Sequence, residues 1–109
     1  MPNNSHLQNI QILINYLEKL DESELHMYDV WNWDTNTGCA VGHCHRAFPD
    51  RVKLNQGNGF TLSIDGDNCT YPEVAMILFG IPNSKVDRVF YVNGTKQEII
   101  ANLERLLQG

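Results

Sequence analysis

Residues 38–45 read Gly38-Cys39-Ala40-Val41-Gly42-His43-Cys44-His45, the densest run of reactive side chains in the chain. On a helix, Cys39 and His43 stand four apart and share a face. Two soft ligands so placed would hold zinc if Cys69, His26 or a carboxylate completed the shell. The spacing lacks the paired C-x-x-C and the H-E-x-x-H of established zinc sites. The same pair also fits a thiol nucleophile and its base. A helix N-terminus and a nearby imidazole both lower a thiol pKa. No oxyanion donor or third group accompanies them. The competing reading is structural: free cysteine is among the most buried residue types, and small apolar residues surround Cys39 and Cys44. Cys39 is then core and His43 a hydrogen-bonded or partly exposed histidine.

Upstream, Tyr28, Trp31 and Trp33 form an aromatic stretch. If the segment is extended, Trp31 and Trp33 point the same way. They either roof the core or, with His45, make a ligand or partner surface, since Trp and Tyr dominate binding hot spots. Asp65 and Asp67 lack EF-hand spacing and read as a solvated turn. There is no glycine-rich phosphate loop before a helix and no G-x-S-x-G elbow. No catalytic set is complete, and no cofactor or metal is expected.

The elements that must position these residues are easier to read. Ser5 with Gln8, Thr70 with Glu73 and Thr95 with Glu98 each fit a capping box, which satisfies two orphan amides at a helix start. These hydroxyls also complete N-x-Ser/Thr patterns at Asn3, Asn68 and Asn93, and capping is the reading adopted. The first helix covers about 6–20, with Ile10, Leu13, Ile14, Leu17 and Leu20 on one stripe. The last covers about 96–107, with Ile99, Ile100, Leu103, Leu106 and Leu107. Between them, Val74 to Phe79 is apolar nearly all round, so a helix over about 72–79 belongs at the centre of the fold. Gly80 stops it and Pro82 forbids continuation. A fourth helix runs between Gly38 and Phe48, capped by Asn36 or Thr37 and ended by Pro49. Its glycines each cost about 1 kcal/mol of helix propensity relative to Ala. Gly38, Ala40, Gly42 and Ala47 would admit a close neighbour, which explains so poor a helix former.

Phe60, Leu62 and Ile64 alternate with polar residues, the period of a half-buried strand. Val52 to Leu54 would pair with it, giving a hairpin over about 51–65. Residues 65–68 are turn chemistry, and 86–92 fit either a strand or a helical turn. The fold class expected is mainly α, or α+β: about four helices around the buried central helix, with a small β-hairpin, as a single domain over 1–109.

Composition narrows the function classes. The chain of 109 residues is 42% hydrophobic and 19% charged, which suits a folded domain that needs neither metal nor disulfide. A net charge of -5, with eight scattered basic residues, argues against a nucleic-acid binder, which needs a basic face. No apolar run reaches membrane-spanning length. The opening residues carry no signal-like core, and three cysteines suit a reducing compartment, so a cytoplasmic location is expected.

Taken together, Met27 and Trp31, Gly38-Cys39-Ala40-Val41-Gly42-His43, Ala75 to Phe79-Gly80-Ile81, Val89-Phe90 and the capped last helix resemble a group of small uncharacterised bacterial and phage proteins. Those carry a C-G-T-x-x-C-A-x-G segment, then F-G-L and L-F segments. The resemblance spans about 25–108. If Cys39 matches the second cysteine, the first falls on Asp34, so a cysteine pair is no requirement here. The resemblance implies the fold and names no activity. The leading reading is a non-enzymatic interaction or accessory module with a protein partner or self-association. The alternative is a small-ligand or metal-binding protein, or a thiol enzyme, centred on Cys39 and His43.

Overall fold

A computed structural model describes residues 4–25, 30–35, 37–55, 62–91 and 95–108. Among the described residues the order is α1 (Asn4–Lys19), a 3-10 turn (Glu22–Glu24), α2 (Cys44–Ala47), β1 (Val52–Leu54), β2 (Leu62–Ile64), β3 (Asp67–Cys69), α3 (Tyr71–Phe79), α4 (Asn83–Phe90) and α5 (Lys96–Gln108). The α+β class and the helix-dominated architecture expected from the sequence are therefore observed. Tyr28, Asn36, Phe60, His26 and Met27 lie outside the described residues, as do 56–59.

One capping box closes in full and a second is shown in one of its two arms. At α3, the Thr70 and Glu73 side chains close a reciprocal capping box, and Pro72 sits in the first turn where its missing N–H costs nothing. The helix ends at Gly80, whose φ of +68° is the left-handed cap that glycine adopts without Cβ strain. At α5, the Glu98 amide donates to Thr95 Oγ1 at 3.2 Å. Ser5 does not cap: α1 already includes Asn4, so Ser5 lies inside the helix.

The helix expected over 38–48 is mostly not one. Residues 40–43 make turns, and only Cys44–Ala47 is α-helical, with no side-chain cap at His43. Thr37 instead pairs with Asn32 in a short antiparallel bridge. The close approach inferred from the small residues is real. A Cβ on Gly38 or Gly42 would run into the Val30 carbonyl. These glycines therefore serve packing against a neighbouring segment.

Of the ambiguous stretch 86–92, residues 86–90 are helical, with Val86, Val89 and Phe90 turned inward, and Val92 lies outside the described residues. The 51–65 hairpin forms with Val52 opposite Ile64 and Leu54 opposite Leu62. A third strand extends it. Asp65 (φ +52°) and Gly66 (φ +91°) form a two-residue turn, and Ile64 pairs with Asp67 across it. Asp-Gly suits such a turn because both positions need positive φ. The polar Asp67 and Asn68 hid this strand from a periodicity reading.

Buried apolar side chains from all five helices and all three strands join one cluster. α3 lies between α1 and α4, and β2 packs on it. Phe79, fully buried, has Phe48 at 5.9 Å and Phe90 at 6.2 Å between ring centroids. Truncating such a ring to Ala costs about 3–5 kcal/mol. α3 is not buried on all sides, however: Met76 and Ile77 face outward, 51% and 41% exposed. Hydrophobicity all round a nine-residue helix overstated its burial. No helix among the described residues is long and apolar enough to cross a membrane.

Candidate functional site

Cys39 and His43 share one turn, since the His43 amide donates to the Cys39 carbonyl at 2.9 Å. Their side chains serve different partners. The Cys39 thiol, 1% exposed, lies 3.0 Å from the Tyr91 hydroxyl and accepts the Gly42 amide N–H at 3.4 Å. Burial pushes its pKa up, and the hydrogen bonds from Tyr91 and the nearby backbone only partly oppose this. Cys44 is also driven up by burial, with Cys39 adding to the effect, and its thiol donates to the Ala40 carbonyl. A nucleophilic cysteine needs the opposite environment, one that favours thiolate.

His43 is fully buried, with both ring nitrogens engaged. Nε2 lies 2.7 Å from the Glu24 carbonyl, which can only accept, so Nε2 carries the proton. Nδ1 then offers its lone pair to the Tyr16 hydroxyl, which donates at 2.8 Å. Burial holds His43 below the usual histidine pKa, which is consistent with this neutral tautomer. The ring thus ties α1 to the Glu22–Glu24 turn, and no lone pair is left for a metal or a substrate proton.

Around His43 the polar groups form a compact shell. The Trp31 ring meets His43 at 5.1 Å and His45 at 4.6 Å, both near perpendicular. The Arg46 guanidinium lies 4.9 Å from the Trp31 ring centroid and 3.5 Å from a Glu24 carboxylate oxygen. Stacking over Trp contributes about 0.5–1 kcal/mol at a partly exposed site. The ion pair, exposed on both sides, adds at most about 1 kcal/mol. His45 is half-buried and donates from Nδ1 to the Gly42 carbonyl at 2.7 Å. Burial lowers its pKa as well.

The sequence candidates therefore separate. Trp31 is buried and Trp33 is 42% exposed, so the two do not share a direction; residues 33–35 turn rather than extend. His45 belongs with Trp31 in the packed shell. Cys69 sits in β3 and donates to the Asp67 carbonyl at 3.3 Å. Among the described residues, no group of three or more His, Cys, Asp or Glu could hold a metal ion. One group escaped the sequence reading: Tyr16, Glu24 and Arg46, whose roles depend on contacts 19 to 27 residues apart in the chain. A second surface feature is a shallow open hollow of about 210 Å³ beside the start of α3, lined by Thr70, Pro72, Glu73, Met76 and Asn83. Its one carboxylate, Glu73, is already committed to the α3 cap. Compared with known proteins, the chain matches no family model, no curated protein and no solved structure.

Proposed function

We propose that this domain is a non-enzymatic interaction or accessory module that binds a protein partner or a second copy of itself. The observation that carries the reading is a contrast. The reactive groups Cys39, Cys44 and His43 are buried in internal hydrogen bonds, while Ile12, Trp33, Met76 and Ile77 stand 41–51% exposed. Met76 and Ile77 are consecutive on α3, and Trp and Met are enriched at interface cores. The sequence resemblance implies a bacterial or phage origin, and three unpaired cysteines accord with a cytoplasmic location.

The test is the mass in solution by sedimentation over a wide concentration range, with a pull-down from a bacterial lysate in parallel. A concentration-dependent rise in mass, or a specific partner lost on Met76→Glu with Ile77→Lys, supports the proposal. A strict monomer that retains nothing overturns it. No geometric observation favours the thiol-enzyme or metal-binding alternative at Cys39 and His43.

A further inference from the structure

We propose that the outer face shared by α1 and α3, centred on Ile77 and flanked by Ile12 and Met76, docks a second copy of this chain across a twofold axis near Ile77. The inference rests on the association reading and names its partner.

The alignment of the two helices makes these side chains one surface. A Cβ on Gly80, at the end of α3, would meet His6 of α1, and Asn9 Nδ2 donates to the Leu78 carbonyl at 2.9 Å. Later positions on α1 thus lie beside earlier positions on α3, so the helices run antiparallel. Ile12 is one turn beyond Asn9 on the same flank of α1 and comes level with the middle of α3. There Met76 leans towards α4, since it lines the hollow together with Asn83. Ile77 stands about 100° further round the helix, on the side of α1. Ile12, Ile77 and Met76 are 44%, 41% and 51% exposed.

Charge decides which partner fits. Residues 4–17 and 74–84 hold no Asp, Glu, Lys or Arg, in a chain that is 19% charged and carries a net charge of -5. Exposed positions around the apolar centre are Ser5 and Gln8 on α1 and Asn83 and Ser84 on α4. Electrostatic complementarity selects a different protein by opposite charge, and these two runs offer none. A second copy is acidic too, and it escapes like-charge repulsion by meeting this neutral face. A twofold contact sets the same patch against itself. Amide and hydroxyl side chains suit that, because each carries both a donor and an acceptor and can pair with its own kind. A carboxylate or an ammonium cannot.

Glu73 fixes where the axis can pass. It is the one charged residue of α3, four positions before Ile77 and about 6 Å from it along the helix. Its carboxylate is turned to the Thr70 cap. Two antiparallel α3 helices meeting at Ile77 hold their Glu73 positions about 12 Å apart, beyond the Debye length of about 8 Å at physiological salt. An axis at Glu73 would instead bring the two carboxylates together.

The experiment is sedimentation equilibrium on the full chain, from about 5 µM to about 1 mM. Wild type, Ile77→Lys, Ile77→Glu and an equal mixture of the two variants are compared, with circular dichroism confirming that each is folded. A reversible monomer–dimer equilibrium is expected for the wild type. Each variant alone should dimerise at least about tenfold more weakly, because like charges then face each other across the axis. The mixture should recover as a heterodimer, and added salt should weaken that recovery. A dimer indifferent to both substitutions, or one lost in both and not recovered in the mixture, overturns the proposal. If the Ile77 variants do not fold, Ile12→Lys decides: at least about tenfold weaker dimerisation supports this face, and unchanged dimerisation overturns it. A wild type that stays monomeric throughout also overturns the inference, while the association reading survives if the chain retains a different protein and fails if it retains none.

Discussion

The thiol of Cys39 and the hydroxyl of Tyr91 meet at 3.0 Å across 52 residues of chain. This contact joins the loop before α2 to the end of α4, and burial keeps the sulfur in its protonated form inside the core. Desolvation raises Cys39, Cys44 and Cys69 alike. In native buffer at pH 7.5, Cys39 and Cys44 should therefore resist iodoacetamide until the chain unfolds. Peptide mass mapping during a urea series would read this directly. Rapid labelling of Cys39 in the folded state would contradict the assignment of that thiol to the core.

Gly42 allows two opposite forecasts. Helix propensity alone says that Gly42→Ala gains about 1 kcal/mol. The Val30 carbonyl says otherwise, because it occupies the place where the methyl would go. Backbone on backbone has little room to yield, so overpacking should win by about 1–3 kcal/mol. Urea unfolding should show Gly42→Ala less stable than the parent. A more stable variant would mean that residues 30 and 42 do not approach as described.

Stability should also depend on pH with a definite sign. His43 and His45 are both held below the ordinary histidine pKa, chiefly by burial. The unfolded chain therefore takes up protons first as the pH falls. Their contribution is fully present above about pH 6.5 and is lost progressively below it, down to the folded-state values. Urea midpoints should be level from pH 8 to 7 and decline towards pH 5. A rise in stability over that acidic range would reverse the sign and exclude a neutral buried His43.

Replacing Met76 by Glu and Ile77 by Lys places opposite charges on the outer side of α3. Both side chains are largely solvent-facing, so the change in folding stability should stay within about 0.5 kcal/mol. Any self-association through this face should weaken at least tenfold, measured by sedimentation. Large destabilisation would show that these side chains are more deeply packed than their exposure indicates.

The sequence made the long-period features legible and left the short-range irregular ones obscure. The α1 and α5 stripes and the Thr70–Glu73 cap were readable because 3.6-residue periodicity and capping chemistry are local properties. The 40–43 turns were not, because what replaces the helix there is a carbonyl from Val30. β3 was missed because two of its three residues are polar and exposed; its place comes from the Asp65–Gly66 turn and pairing with β2. At the candidate site, burial of Cys39 followed from its small neighbours. The partners of His43 did not: Tyr16 reads as another residue on a helix, and its hydroxyl gains meaning only where α1 crosses the 38–43 loop.

The bridges from α1 to Leu78 and from Leu20 to Lys96 have a bearing on how the chain is made. Synthesis proceeds from the N-terminus, so the stripe of Ile10, Leu13, Ile14 and Leu17 leaves the ribosome well before Ile99 and Leu103 exist to cover it. Until then the nascent segment carries a sticky face with no native mate, and holdase chaperones select such faces. Slowing translation just upstream of α5 should lengthen that window and raise the fraction of chains that aggregate.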